Sequence, residues 1–310
     1  MTNKDAIYTL KKIAANVEKI IIGKRHAIEL LAFTLICRGH ALIEDAPGVG
    51  KTSMVSALAK SINASFKRVQ FTPDIMPSDI TGFSVFNPGT GEFEYRPGAV
   101  SSQFVLADEI NRASPKTQSS LLEVMEENQV TVDGVTHKTP RPFIVLATQN
   151  PIEYLGTYPL PEAQLDRFFM KISLGYPTEK EESRILERFR EGAPEISHIT
   201  ESENVILIQS LVEKIHVSQE INKFIVAISR FTRESEDVVL GASPRASLCL
   251  FKASQARALY NERDFVTPDD VINLALPVLS HRIILKQEAK LRKKTSDEIV
   301  KEAVNATRSA

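Results

Sequence analysis

The stretch "EDAPGVGKTS", residues 44–53, decides the fold. It differs at one position from the phosphate-binding pattern G-x-x-x-x-G-K-[ST], because Asp45 stands where the first glycine belongs. Before it runs "HALIED" (residues 40–45), apolar and β-rich; after it runs "TSMVSALAKSI" (residues 52–62), apolar at helical spacing. Strand, loop and helix are the context such a loop needs, since glycines free consecutive backbone N–H groups to converge on phosphates at a helix N-terminus. Pro47, Gly48, Val49, Gly50, Lys51, Thr52 and Ser53 form the expected nucleotide-binding stretch. Lys51 would reach the β and γ phosphates, and the Thr52 hydroxyl would ligate Mg²⁺. Asp45 ends the strand and can replace a turn glycine if its carboxylate points away from the phosphates.

Outward from the loop, short β-rich runs alternate with helical segments up to about residue 174, the pattern of a wound parallel sheet. Besides residues 40–45, the expected strands are "FKRVQF" (66–71), "FVLADE" (104–109), "FIVLATQN" (143–150) and "FFMKISL" (168–174). Three are nearly continuous apolar runs, as strands covered on both faces should be. "FVLADE" ends in two acids. Asp108 would hold Mg²⁺, directly or through water, and Glu109 would orient and polarise the attacking water. Asn150 ends "FIVLATQN"; it either caps the turn before Pro151 or brings its amide to the γ-phosphate or the water.

Two inserts read as β-hairpins: residues 83–98, with a Pro/Gly turn, and residues 129–137, centred on Asp133-Gly134. Past residue 175 the pattern turns helical. Thr178 with Glu181 and Thr200 with Glu203 fit capping boxes, and Ser243-Pro244 and Thr267-Pro268 place a cap before a first-turn proline. These signals predict an α/β core over residues 1–176 and a helical lid over 177–310, the basic run 286–294 lying on a solvated face of the last helix.

The 310 residues carry a net charge of -1, so bulk electrostatics do not call for nucleic acid or an anionic membrane. The most apolar run, residues 27–37, is too short to span a bilayer and the first residues lack a signal-peptide core, so a cytoplasmic protein is expected. Cys37 and Cys249 sit in apolar helical patterns, as small core residues do, and six scattered histidines form no metal-binding spacing.

Together the motifs "IEDAPGVGKT", "LADEINRASPKTQSSLLEVMEE", "LATQNPIEYLGTYPLPEAQLDRF", "GASPRA", "FVTPDDV" and "PVLSHR" resemble the MoxR-type AAA+ ATPases over nearly the whole chain. The family pattern tolerates an acidic residue before "PGVGKT", so Asp45 is compatible with a working site. The resemblance implies that Arg167 in "LDRF" is an arginine finger acting on a neighbour's γ-phosphate. It implies that Arg245 in "GASPRA" is a sensor-2 arginine contacting bound nucleotide, and that Ile22 and Gly23 border the adenine. Arg112 is assigned no more than an interface or structural role. The hairpins match the inserts of the helix-2-insert clade. ATP and Mg²⁺ as cofactors, a homo-oligomeric ring, most simply a hexamer, and a partner with a von Willebrand factor A domain are further expectations. The rivals are a nucleotide-gated switch with little turnover and a DNA-associated motor of the same clade.

Overall fold

The computed structural model describes residues 1–46, 48–150, 156–192 and 194–308. The chain opens with two helices, α1 (Asn3–Glu18) and α2 (Arg25–Ile36), then enters the sheet with β1 (Ala41–Glu44), α3 (Lys51–Ser61) and β2 (Phe66–Gln70). A short helix α4 (Pro77–Thr81) leads into the hairpin β3 (Gly82–Asn87) and β4 (Glu92–Pro97). Strand β5 (Phe104–Asp108) and helix α5 (Pro115–Glu127) follow, then the second hairpin, β6 (Gln129–Val132) and β7 (Val135–Lys138). Strand β8 (Ile144–Gln149), helix α6 (Glu162–Leu165) and strand β9 (Met170–Ile172) complete the core.

All five expected strands pair in parallel, in the order β2-β5-β8-β1-β9. β5 is buried along its whole length, and its alternate residues feed two cores. Phe104 and Leu106, with Ile144 and Leu146, face α1 to α3; Val105 and Ala107 face Leu121, Leu122 and Phe168. Both hairpins form where Pro/Gly and Asp-Gly turns place them, with Asp133 and Gly134 both at positive φ.

The rest of the chain comprises α7 (Glu179–Glu191), α8 (Ser202–Val212), α9 (Gln219–Glu234), β10 (Val238–Leu240), α10 (Pro244–Tyr260), α11 (Pro268–Leu279), β11 (Ile284–Leu285), α12 (Gln287–Leu291) and α13 (Ser296–Arg308). Thr178, Ser243 and Thr267 cap α7, α10 and α11 as their sequences predict. Three expectations need correction. Thr200 does not open a helix: α8 begins at Ser202, because the Ile199 and Thr200 N–H groups bond back to the Ser61 carbonyl. Strands do not cease, since β10 and β11 pair antiparallel. The basic run is not part of the last helix: α12 stops at Leu291, Lys293 turns left-handed at φ 59°, and Thr295 caps α13 through Glu298. Two of its cations, Arg292 and Lys294, lie on Asp237, and Lys286, Lys290, Arg292 and Lys293 remain exposed.

One apolar cluster runs from α1 and α2 into α8, α10 and α11, so the helical part shares its core with the first helices. At that seam Phe33 meets Tyr260 edge-to-face at 5.4 Å, and Arg25 bonds Glu18, Glu29 and the Tyr260 hydroxyl.

His40 ties the start of β1 to its neighbours. Its Nδ1 accepts from the Val145 N–H at 2.9 Å, and its Nε2 donates to the Met125 carbonyl at 2.9 Å, which requires the neutral ring. Burial pushes its pKa down to about 4 from 6.5. His281 shifts down for the same reason. Both protonate more readily unfolded than folded, so stability is lost as pH falls below 6.5, by roughly 1.4 kcal/mol per pH unit for each ring. Urea unfolding between pH 6.5 and 5 should show that slope, and His40→Gln should remove its share; an unchanged slope in the variant would contradict this account.

Candidate nucleotide site

The carboxyl ends of the parallel strands all reach one edge of the sheet, and the phosphate loop lies there between β1 and α3. Gly48 and Gly50 adopt φ of 83° and 93°, left-handed values that L side chains resist. Gly50 is the N-cap of α3 and faces inward, where a β-carbon would come 3.0 Å from Ile21 Cδ1. The segment around Ile22 and Gly23 therefore abuts the loop. Ile22 is buried, and Gly23 turns at φ 76° with the Glu181 carboxylate so close that a β-carbon would overlap it. Pro47 lies outside the described residues.

Asp45 carries out the supporting role its position suggested. Its carboxylate accepts from the Ser173 hydroxyl at 2.8 Å and from the backbone N–H groups of Leu174 and Gly175 at 2.5 and 3.0 Å. These residues follow β9 and lead to α7, so the carboxylate fastens the loop's first residue to the link toward the helical region. The Lys51 ammonium donates to the carbonyls of Asp45 and Ala46 at 3.0 and 3.2 Å.

A cleft of about 340 Å³ opens over this edge, lined by Gly48, Gly50, Lys51, Thr52, Ser53, Arg68, Gln70, Asp108, Glu109 and Asn150. Val49 packs against the core beneath it. Asp108 and Glu109 diverge by design of the backbone: Asp108 ends the strand buried, whereas Glu109 takes φ 57°, turning out of the strand direction. Thr148 of β8 holds both, donating its hydroxyl to Asp108 Oδ1 at 2.6 Å and accepting the Glu109 N–H at 2.8 Å. Asp108 Oδ2 also receives Arg68 Nε and Nη2 at 3.0 and 2.6 Å. The Glu109 carboxylate receives Gln70 Nε2 at 2.7 Å and Arg112 Nη1 at 3.0 Å, which gives Arg112 a contact the sequence did not assign.

Sequence reasoning missed Arg68, Gln70 and Thr148. A signal was present for two of them: Arg68 and Gln70 share a face of β2 at i and i+2, and Gln70 is in register with Asp108. Thr148 is a fully buried polar residue that follows four apolar ones in β8.

Arg167 and Arg245 are not brought to this cleft. They lie together at the opposite edge of the sheet, around residues that precede the strands. Arg167 Nη2 meets Glu126 Oε2 at 3.1 Å, and Arg245 meets Oε1 of the same carboxylate. The Arg245 hydrogen bond, with Arg167 beside it, holds Glu126 below the usual carboxylate range. Cys37, Gly39 and His40, just before β1, and Asn128, just after α5, line the same hollow. Arg245 therefore lies away from its own chain's cleft: the α10 N-terminus that carries it sits at the far edge, anchored where Ser243 bonds Asp166.

The donor set suits a nucleotide with a hard cation. A hydroxyl at Thr52 and a carboxylate at Asp108 offer the oxygen ligands Mg²⁺ prefers, Lys51 offers a phosphate counter-charge, and both glycines leave the loop open. Among the described residues no cluster of three or more His, Cys, Asp or Glu side chains forms a transition-metal site.

Comparisons with known proteins agree with this arrangement. Residues 40–170 match the model of the ATPase family associated with various cellular activities (AAA), and residues 230–303 match that of the AAA lid domain. The fold and loop thus define an AAA ATPase class. Chaperone MoxR1 of Mycobacterium tuberculosis is 41% identical over 303 residues, covering 95% of this chain and 80% of its own length. YeaC of Bacillus subtilis, itself uncharacterized, is 50% identical over 96% of this chain and 94% of its own. The crystal structure of a candidate ATPase from Cytophaga hutchinsonii superposes with a TM-score of 0.91 at 37% identity, covering 98% of this chain and 95% of that one. This chain belongs to the MoxR family of AAA+ ATPases.

Asp45 and Lys51 should separate cleanly on substitution. Asp45→Asn leaves fewer acceptors for three donors and is expected to cost about 1–3 kcal/mol in urea unfolding while nucleotide affinity stays within a few-fold. Lys51→Ala should lose nucleotide binding with stability retained. A large affinity loss in Asp45→Asn at unchanged stability would overturn the assignment.

Proposed function

We propose that the protein is a Mg²⁺-dependent ATP hydrolase whose sites are completed between subunits of a ring, most simply a hexamer. The carrying observation is the separation of two half-sites. Lys51, Asp108 and Glu109 occupy the carboxyl edge of the sheet, and Arg167 and Arg245 the opposite edge, so one chain's arginines complement another chain's cleft. In this reading the nucleotide lies against the core, residues 1–176, with the helical lid, residues 177–310, reporting its state.

Backbone N–H groups at Gly48 to Ser53 hold the phosphates, Ile22 and Gly23 border the base, and Lys51 neutralises the β and γ oxygens. Thr52 and Asp108 would hold Mg²⁺, which supplies charge neutralisation of the β and γ phosphates when bound. Glu109, aimed by Gln70 and Arg112, orients the attacking water and accepts its proton, and Asn150 lines the same cleft. Arg167 and Arg245 of the neighbouring copy stabilise charge that develops on the transferred phosphoryl group.

For the cellular output, the relationship to a protein named a chaperone supports a remodeller that matures or activates a partner, with a von Willebrand factor A domain protein as the partner implied by the family resemblance. The near-neutral net charge favours a protein partner over nucleic acid. No helix among the described residues is long and apolar enough to cross a membrane, in keeping with action in the cytoplasm.

Glu109→Gln should lower turnover by about 10²-fold or more with ATP affinity retained, and Arg167→Ala by about 10³-fold. Mixing the two inactive variants should restore part of the activity, because some interfaces then pair an intact Glu109 with an intact Arg167. Specific activity should also rise with protein concentration. Activity that stays constant on dilution to monomers would refute the shared site.

A further inference from the structure

The finger segment is gripped from the helical region of its own chain. Arg282, which follows α11, is 1% exposed at its side chain. Its Nη2 donates to the carbonyls of Asp166, at 3.3 Å, and Phe168, the two residues flanking Arg167, and its Nε lies 3.3 Å from Asp166 Oδ1. His281 Nε2 donates to the same Phe168 carbonyl at 3.1 Å. From a second element, the Ser243 hydroxyl that caps α10 lies 2.9 and 3.0 Å from the two Asp166 carboxylate oxygens. Two residues beyond Ser243, Arg245 reaches the carboxylate of Glu126 that Arg167 also holds.

Burying a guanidinium is costly unless its donors are met, yet Arg282 Nε and Nη1 both have no hydrogen-bond partner. Packing alone would be served by an apolar side chain. What the guanidinium adds is one nitrogen, Nη2, that donates to two backbone carbonyls on either side of one residue, on a rigid plane whose Nε faces the Asp166 carboxylate. We propose that Arg282, through Asp166 and the Phe168 carbonyl, is the positioning residue that sets where Arg167 points. The orientation of the helical region is thereby transmitted to the edge of the sheet that faces the neighbouring copy. The inference rests on the shared-site reading of Arg167 and extends it, because it makes each subunit's lid control the hydrolysis of its neighbour's ATP.

The test uses full-length protein in mixed rings. Glu109→Gln subunits donate the finger to Arg167→Ala subunits, and the recovered turnover is the reference. Arg282→Lys keeps the charge and loses the rigid plane that sets Nη2 on the two carbonyls while Nε faces Asp166. Placed in the finger-donating Glu109→Gln subunit, it should lower recovered kcat about tenfold or more, with KM for ATP unchanged, since small misplacements of a catalytic group are expensive. Placed in the Arg167→Ala subunit, whose finger is already gone, it has nothing left to misplace and recovery should persist. Asp166→Asn, which preserves shape, should give the same one-sided loss even if Arg282→Lys fails to fold. Equal losses from both placements, or none from either, would overturn the positioning role while leaving the shared site standing. Absence of recovery in the reference mixture would instead refute the shared site and this proposal with it.

Discussion

A parallel sheet has two unlike edges, and the two proposed half-sites of this molecule are sorted by that polarity. Because all five strands run the same way, each loop that leaves a carboxyl end meets the others on one side. The phosphate loop, the Asp108–Glu109 turn and Asn150 converge there without any one of them being long. Segments that enter the strands meet on the other side, and Arg167, three residues before β9, belongs to that set. The distance between the half-sites is therefore a property of the topology. It cannot be closed by rotating a side chain.

At the carboxyl edge the balance of charge is managed by neighbours. Two adjacent carboxylates at a strand end would repel one another, but each has its own cation. Arg68 lies on Asp108 and Arg112 on Glu109, with the Thr148 hydroxyl bridging the Asp108 carboxylate and the Glu109 N–H. The left-handed turn at Glu109 points the second acid elsewhere, at a conformational cost of about 1–3 kcal/mol that the surrounding contacts offset. Asp45 shows the same economy. An acid in a phosphate loop would oppose the ligand if it faced inward, and its three donors beyond β9 hold it away.

Much of this was legible in the residues. The loop pattern, five strands, three of them nearly continuous apolar runs, and two hairpin turns could be read because local chemistry decides such elements: strands covered on both faces are apolar, and Asp133-Gly134 accepts positive φ. The capped starts at Thr178, Ser243 and Thr267 were legible for the same reason. What could not be read were relations between distant segments. Thr200 looked like a cap until the Ser61 carbonyl claimed its N–H, and the basic run looked like part of the last helix, from which the left-handed Lys293 separates it. Arg245 was assigned to a bound nucleotide, and resemblance supplies such a role without saying which chain's nucleotide it serves. Arg282 passed unnoticed, since an arginine after a helix has no local signature until its carboxylate is known.

The central claim is that one subunit's carboxyl edge and another's opposite edge make a single site. The most direct measurement is an electron cryomicroscopy structure of Glu109→Gln assembled with Mg²⁺ and ATP. The account predicts a closed ring in which Arg167 and Arg245 of one copy have left Glu126 and face the γ-phosphate held by Lys51 of the next. A structure with ATP bound at Lys51 and both arginines still on Glu126 of their own chain, remote from every nucleotide, would contradict it.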